Sequence, residues 1–156
     1  MPANFQSNAE IAERFRQLAA LLEIRGEDAF RVRAYRNAAE VIEEWNVSLA
    51  KTYTEGGVKA LREIPGVGQA ISGKIVELLT RGTFDAWERL TAETPLTTLE
   101  LLDVPGIGIK TATQLHTRFR ISSKEDLRQF VLGGGLDLVD GVSDKTGEKI
   151  KRDLAI

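Results

Sequence analysis

The feature that most restricts this chain is a repeat forty residues apart. Residues 63–79 read EIPGVGQAISGKIVELL and residues 103–119 read DVPGIGIKTATQLHTRF. Each copy has an acidic residue, a β-branched residue, Pro-Gly-(Val/Ile)-Gly and an amphipathic helical pattern. Proline cannot continue a helix, so the first helix of each unit must stop there. Glycine admits backbone angles closed to other residues, so the chain can reverse within four residues and begin a second helix. Each copy therefore predicts helix, hairpin turn, helix. A third, degenerate copy begins at Val139 with Asp140 in place of the proline and Ser143 in place of the second glycine.

The rest also reads as helix. Residues 8–25 carry Ile11, Phe15, Leu18 and Leu22 on one face, with Ser7 and Glu10 at capping-box spacing and Gly26 as a stop. A helix over about 28–45 is expected to bury Phe30, Ala34, Ala38, Val41 and Trp45. Its polar side carries Arg31, Arg33 and Arg36, then Glu40, Glu43 and Glu44, read as a solvated face. A short helical turn follows near 47–51, broken by Gly56-Gly57, and Gly133–Gly135 are expected to form a flexible joint. Trp87 reads as core. No segment alternates with the two-residue period of a strand. The predicted class is all-α, with tandem helix-hairpin-helix units in a compact helical array and no sheet. The expected division is 1–83, holding the first hairpin, and 84–156, holding the second and the degenerate third.

The hairpins also carry the functional signal. A helix that starts abruptly after glycine leaves its first amides unpaired, and these, with the helix dipole, favour an anion. The candidate phosphate-binding residues are Gly66, Val67 and Gly68 in the first unit and Gly106, Ile107 and Gly108 in the second, with Lys110 adding a cation. Backbone amides suit a chain whose net charge is −2, because they bind an anion whatever the total charge. Such contacts hold a nucleic-acid backbone without reading its sequence. The chain has no cysteine and one histidine, His116, which removes disulfides, thiolate chemistry and cysteine- or histidine-rich zinc sites. The opening Met1–Gln6 lacks a signal-peptide pattern, and no apolar run suits a membrane span. A cytoplasmic setting, nucleoid-associated in a bacterium or archaeon, is expected.

The segment 26–39 meets the pattern G-x-D-x-F-R-x-x-A-Y-R-x-A-A through Gly26, Asp28, Phe30, Arg31, Ala34, Tyr35, Arg36, Ala38 and Ala39. With the two hairpins, it resembles the N-terminal region of bacterial and archaeal family X DNA polymerases, a lyase domain followed by a helix-hairpin-helix DNA-binding subdomain. The resemblance covers essentially the whole chain. It implies DNA as partner, as gapped or nicked duplex or a single-strand/duplex junction, in repair, with repair proteins as further partners. It leaves open whether the chain stands alone or is part of a longer polymerase. No catalytic palm is present, so no polymerase activity is expected. The family's lyase lysine matches Lys74, which would form a Schiff base with a 5′-deoxyribose phosphate. The pocket residues Arg31, Tyr35 and Arg62 would hold the 5′-phosphate. The chain departs from the family at Ala70, where a second lysine is found, and at Gly73, where an acidic residue precedes the nucleophile. No cofactor is required on this resemblance. It does imply Na+ or K+ on the backbone carbonyls of Arg62, Ile64 and Val67, and of Leu102, Val104 and Ile107. Three readings remain: a backbone-binding module, a lyase acting through Lys74, and a protein-interaction module.

Overall fold

The computed structural model describes residues 7–156; the opening stretch read above for a signal peptide lies outside them. Among the described residues there are only helices and turns: α1 (Asn8–Ile24), α2 (Ala29–Glu44), α3 (Leu49–Arg62), α4 (Gln69–Arg81), α5 (Asp85–Glu93), α6 (Ile109–Phe119), α7 (Lys124–Leu132) and α8 (Asp144–Asp153), with 3-10 segments at Leu96–Asp103 and Gly135–Leu138. No helix among the described residues is long and apolar enough to cross a membrane. The chain divides into two compact units. Among the described residues, one holds 7–19 and 28–92, the other 20–27 and 93–156. Relative to the division expected at 83/84, α5 stays with the first unit, and the end of α1 clusters with the second.

In the first unit, α1 starts on the expected capping box. The Ser7 amide donates to Glu10 at 2.9 Å and the Glu10 amide to Ser7 Oγ at 3.1 Å. Ile11, Phe15 and Leu18 are buried. Phe15 stacks on Tyr35 and on Phe84, each with ring centroids 6.0 Å apart. Trp87 is buried beside Phe84, with the Arg14 guanidinium 4.4 Å from its ring centre.

Helix α2 faces the core differently from the expected stripe. It buries Val32, Tyr35, Ala38, Ala39 and Ile42, whereas Phe30 is 72% exposed and Trp45 is half-buried at the C-cap. Two apolar stripes run along this helix, so periodicity alone could select either one. The stacking of Tyr35 on Phe15 decides between them. The second stripe still packs in part, since a Cβ added at Gly66 would lie 3.4 Å from Val41 Cγ2.

The helical turn expected near 47–51 is instead a helix through Arg62, kinked at Gly57 (φ 69°, ψ −168°) and packed on α4. Asn8 ties its start to α1 by accepting from the Leu49 amide at 2.8 Å and donating to the Val47 carbonyl at 2.9 Å.

The second unit is built around Leu101, Val104, Ile107, Leu115, Leu127 and Ile150. The 3-10 segment Leu96–Asp103 packs against α6 and α7. The glycine triplet is a packed turn, not the expected loose joint. Gly134 has φ 85°, and a Cβ at buried Gly135 would come within 2.5 Å of the Phe130 ring.

Candidate nucleic-acid interface

Both hairpins close on the same turn. The Val67 amide donates to the Ile64 carbonyl at 3.0 Å, and the Ile107 amide to the Val104 carbonyl at 3.0 Å. Gly66 has φ 89° and Gly106 φ 96°. Proline second and a positive-φ glycine third define a type II turn, so Pro-Gly dictates this reversal locally. Buried Val67 and Ile107 anchor each turn while the flanking glycines stay exposed. Tertiary packing thus holds the apolar residue inward and turns the backbone of its neighbours outward.

The helices that follow begin alike. Gly68 (φ −88°, ψ −169°) and Gly108 (φ −95°, ψ −172°) are their N-caps, and neither start has a side-chain cap. The Ser72 amide donates to the Gly68 carbonyl and the Ala112 amide to the Gly108 carbonyl, both at 2.9 Å. The amides before them, at 69–71 and 109–111, have no partner within their helix. Each turn therefore presents uncapped donors at the positive end of a helix dipole, the arrangement that attracts an anion. Lys110 is exposed at the start of α6. Ile64 and Val104 each spend one carbonyl lone pair inside the turn and keep a second, so these carbonyls, with those of residues 62, 67, 102 and 107, fit a monovalent cation chemically.

The residues expected to serve a lyase are distributed unevenly. Lys74 is half-buried on α4 with Nζ 5.7 Å from the centre of the Tyr35 ring. Tyr35 is itself in the core, 6% exposed, so its ring is not an open platform. Arg31 and Arg62 are exposed. Ser72 is fully buried, its hydroxyl donating to the Gln69 carbonyl at 2.9 Å. Gly73 opens a cleft of about 650 Å³ with Tyr53, Thr54, Gly57, Val58 and Val76. Glu43 pairs with Arg16, and among the described residues no acidic or histidine cluster could hold a metal.

Two features escaped sequence reasoning. Phe30 stands exposed beside Arg31 and Arg33 in the first turn of α2, whose start is capped by Asp28 Oδ1 on the Phe30 amide at 2.8 Å. Its surplus on a helix with two apolar stripes was the available signal. In the second unit, fully buried Thr94 joins Arg25 to His116. Arg25 Nη1 donates to Thr94 Oγ1 at 2.9 Å, and His116 Nε2 lies 3.3 Å from that oxygen. His116 Nδ1 lies 3.3 Å from the Ile121 carbonyl. No pattern in the sequence links these distant residues.

Comparison with known proteins agrees with this geometry. Residues 6–84 match the family described as helix-hairpin-helix domain, and residues 98–155 match the SAM-like helix-hairpin-helix tandem. The chain is 26% identical over 137 residues to the DNA polymerase/3′-5′ exonuclease PolX of Bacillus subtilis (strain 168). That alignment covers 88% of this chain and 23% of the relative, so the chain spans about a quarter of the relative's length. The resemblance to the helix-hairpin-helix region of family X polymerases is thereby upheld. With half of its length in one match and much of the remainder in the other, the chain belongs to the helix-hairpin-helix domain family.

Proposed function

We propose that this chain binds the sugar-phosphate backbone of DNA, independently of sequence, in a repair setting, with a preference for gapped or nicked duplex. The observation that carries the reading is the pair of uncapped, glycine-led helix starts after type II turns, one in each unit. Amides fixed by the turns bind phosphate oxygens with no side-chain reorganisation. Lys110 adds charge at the second turn. Exposed Phe30, followed by Arg31 and Arg33, is suited to stack on a base unpaired at a gap. A monovalent cation on the turn carbonyls would neutralise the phosphate held beside it. The test is fluorescence anisotropy with intact, nicked and gapped duplexes of several sequences over a salt series. Binding that weakens with salt, ignores sequence and favours the gap supports the proposal. No binding to any duplex at low salt refutes it and turns attention to protein docking.

A second reading adds lyase chemistry at Lys74. Its support is the position of Lys74, half-buried on α4 past the first turn. The neutral amine would attack C1′ of a 5′-deoxyribose phosphate and lose water to form a Schiff base; loss of a C2′ proton and cleavage of the C3′–O bond would then release the downstream strand with its 5′-phosphate, and hydrolysis of the imine would free Lys74 from the unsaturated sugar phosphate. Borohydride trapping on gapped DNA ending in that sugar phosphate, with Lys74→Ala in parallel, tests it. An adduct absent from the variant supports it; no adduct from the wild type refutes it.

A further inference from the structure

The third, degenerate hairpin copies the backbone of the other two. Gly141 has φ 82°, and the Val139 amide donates to the Leu136 carbonyl at 3.1 Å, as Ile64 does to Leu61 and Val104 to Leu101. The Gly147 amide donates to the Ser143 carbonyl at 2.8 Å, repeating the bonds at Gly68 and Gly108. Ser143 has an extended backbone, as its glycine counterparts do. The turn differs in chemistry. Ser143 Oγ accepts from the Thr146 amide at 3.2 Å, the amide that corresponds to Ile71 and Thr111 in the open turns. Asp144 stands at the first position of α8, where the other helices have Gln69 and Ile109. Its carboxylate offsets the helix dipole that would draw an anion. Lys145 matches Lys110, so the local lysine is not what separates the second turn from the third. The third turn is instead fastened to α6. Gln114 Oε1 accepts from the Asp140 amide at 2.8 Å, Gln114 Nε2 donates to the Asp140 carbonyl at 3.1 Å, and Arg118 pairs with the Asp140 carboxylate at 3.3 Å.

We propose that Ser143, with Asp144, closes the third turn to phosphate, so that the second unit grips DNA through the Gly106–Gly108 turn alone while the third turn serves as its brace. This deepens the DNA-binding reading and rests on it. An amide already given to its own cap is not available to a ligand, whereas a glycine N-cap offers no competing oxygen.

The test transplants the closure. Gly108 has an unstrained φ of −95°, and a Cβ there meets nothing within 4 Å, so Gly108→Ser can cap the Thr111 amide as Ser143 caps Thr146. Gly108→Ala adds the same Cβ without the oxygen. On a gapped duplex, Gly108→Ser is expected to lose about tenfold in affinity relative to Gly108→Ala, the scale of one charge-assisted hydrogen bond, with an equal or higher Tm. The reciprocal double variant Ser143→Ala with Asp144→Asn is expected to bind several-fold more tightly than wild type. Equal affinities for the two Gly108 variants, or no gain in the double variant, overturn the closure while wild-type binding still stands. Absence of wild-type binding overturns the DNA-binding reading and this inference with it.

Discussion

Replacing Gly106 with alanine adds one methyl group at the most crowded of the three turn glycines. Its Cβ would stand 3.1 Å from Thr146 Cγ2, 3.3 Å from Ile150 Cγ1 and 3.4 Å from the Thr146 carbonyl oxygen. The same change at Gly141 meets nothing within 4 Å. Both glycines have positive φ, 96° and 82°, so each variant carries the left-handed backbone cost of about 1–2 kcal/mol. Only Gly106→Ala adds overpacking, because Thr146 and Ile150 must give way to the new methyl group, at about 1–3 kcal/mol. Both positions lie in the second unit, so the backbone term largely cancels in the comparison. Gly106→Ala should be less stable than Gly141→Ala by about 1–3 kcal/mol, which in urea is a midpoint lower by about 1 M. The ring signals of His116, the chain's one histidine and a member of this unit, report its unfolding. Coincident midpoints, or a lower one for Gly141→Ala, would refute the packing of α8 on the second turn.

Phe30→Ala should weaken binding to gapped DNA by about tenfold, from the loss of one stacked base, with an unchanged Tm; unchanged affinity removes Phe30 from the interface. Thr94→Val keeps the shape of a buried side chain but strips partners from Arg25 and His116, so the second unit should lose about 1–3 kcal/mol in urea denaturation, and a neutral result would mean the relay is not structural. Donation from the Ser7 backbone amide, and next the Ser7 hydroxyl, holds the Glu10 carboxyl below its ordinary value of 4.5. A lowered folded pKa makes this contribution complete above the ordinary value and lost as pH falls through the folded one, so a carboxyl titration by NMR should find Glu10 below 4.5 and Ser7→Ala should move it upward; a Glu10 titrating at or above 4.5 contradicts the capping box.

The sequence alone determined the helical class, the face of α1 and the two Pro-Gly hairpin turns with their uncapped helix starts. In each of these the cause is local. Capping residues start α1, Pro-Gly imposes a type II turn, and a second glycine leaves the next helix uncapped. Where two local solutions were equally good, tertiary structure decided. Helix α2 had two apolar stripes, and the stacking of Tyr35 on Phe15 chose the one that leaves Phe30 outside. Gly56-Gly57 read as a break, and Gly57 is indeed non-helical (φ 69°, ψ −168°), but helix resumes directly after it, and Leu49–Arg62 packs on α4 as two pieces meeting at a kink. Gly133–Gly135 read as a loose joint, yet the Phe130 ring occupies the space a side chain would need there. The Thr94 relay and the Gln114–Asp140 clasp join residues more than twenty positions apart, and no periodicity encodes such pairs. Local sequence sets which turns form and how each helix begins, because those terms act within a few residues. Which face is buried and which turn is braced depend on neighbours that only the folded chain brings together.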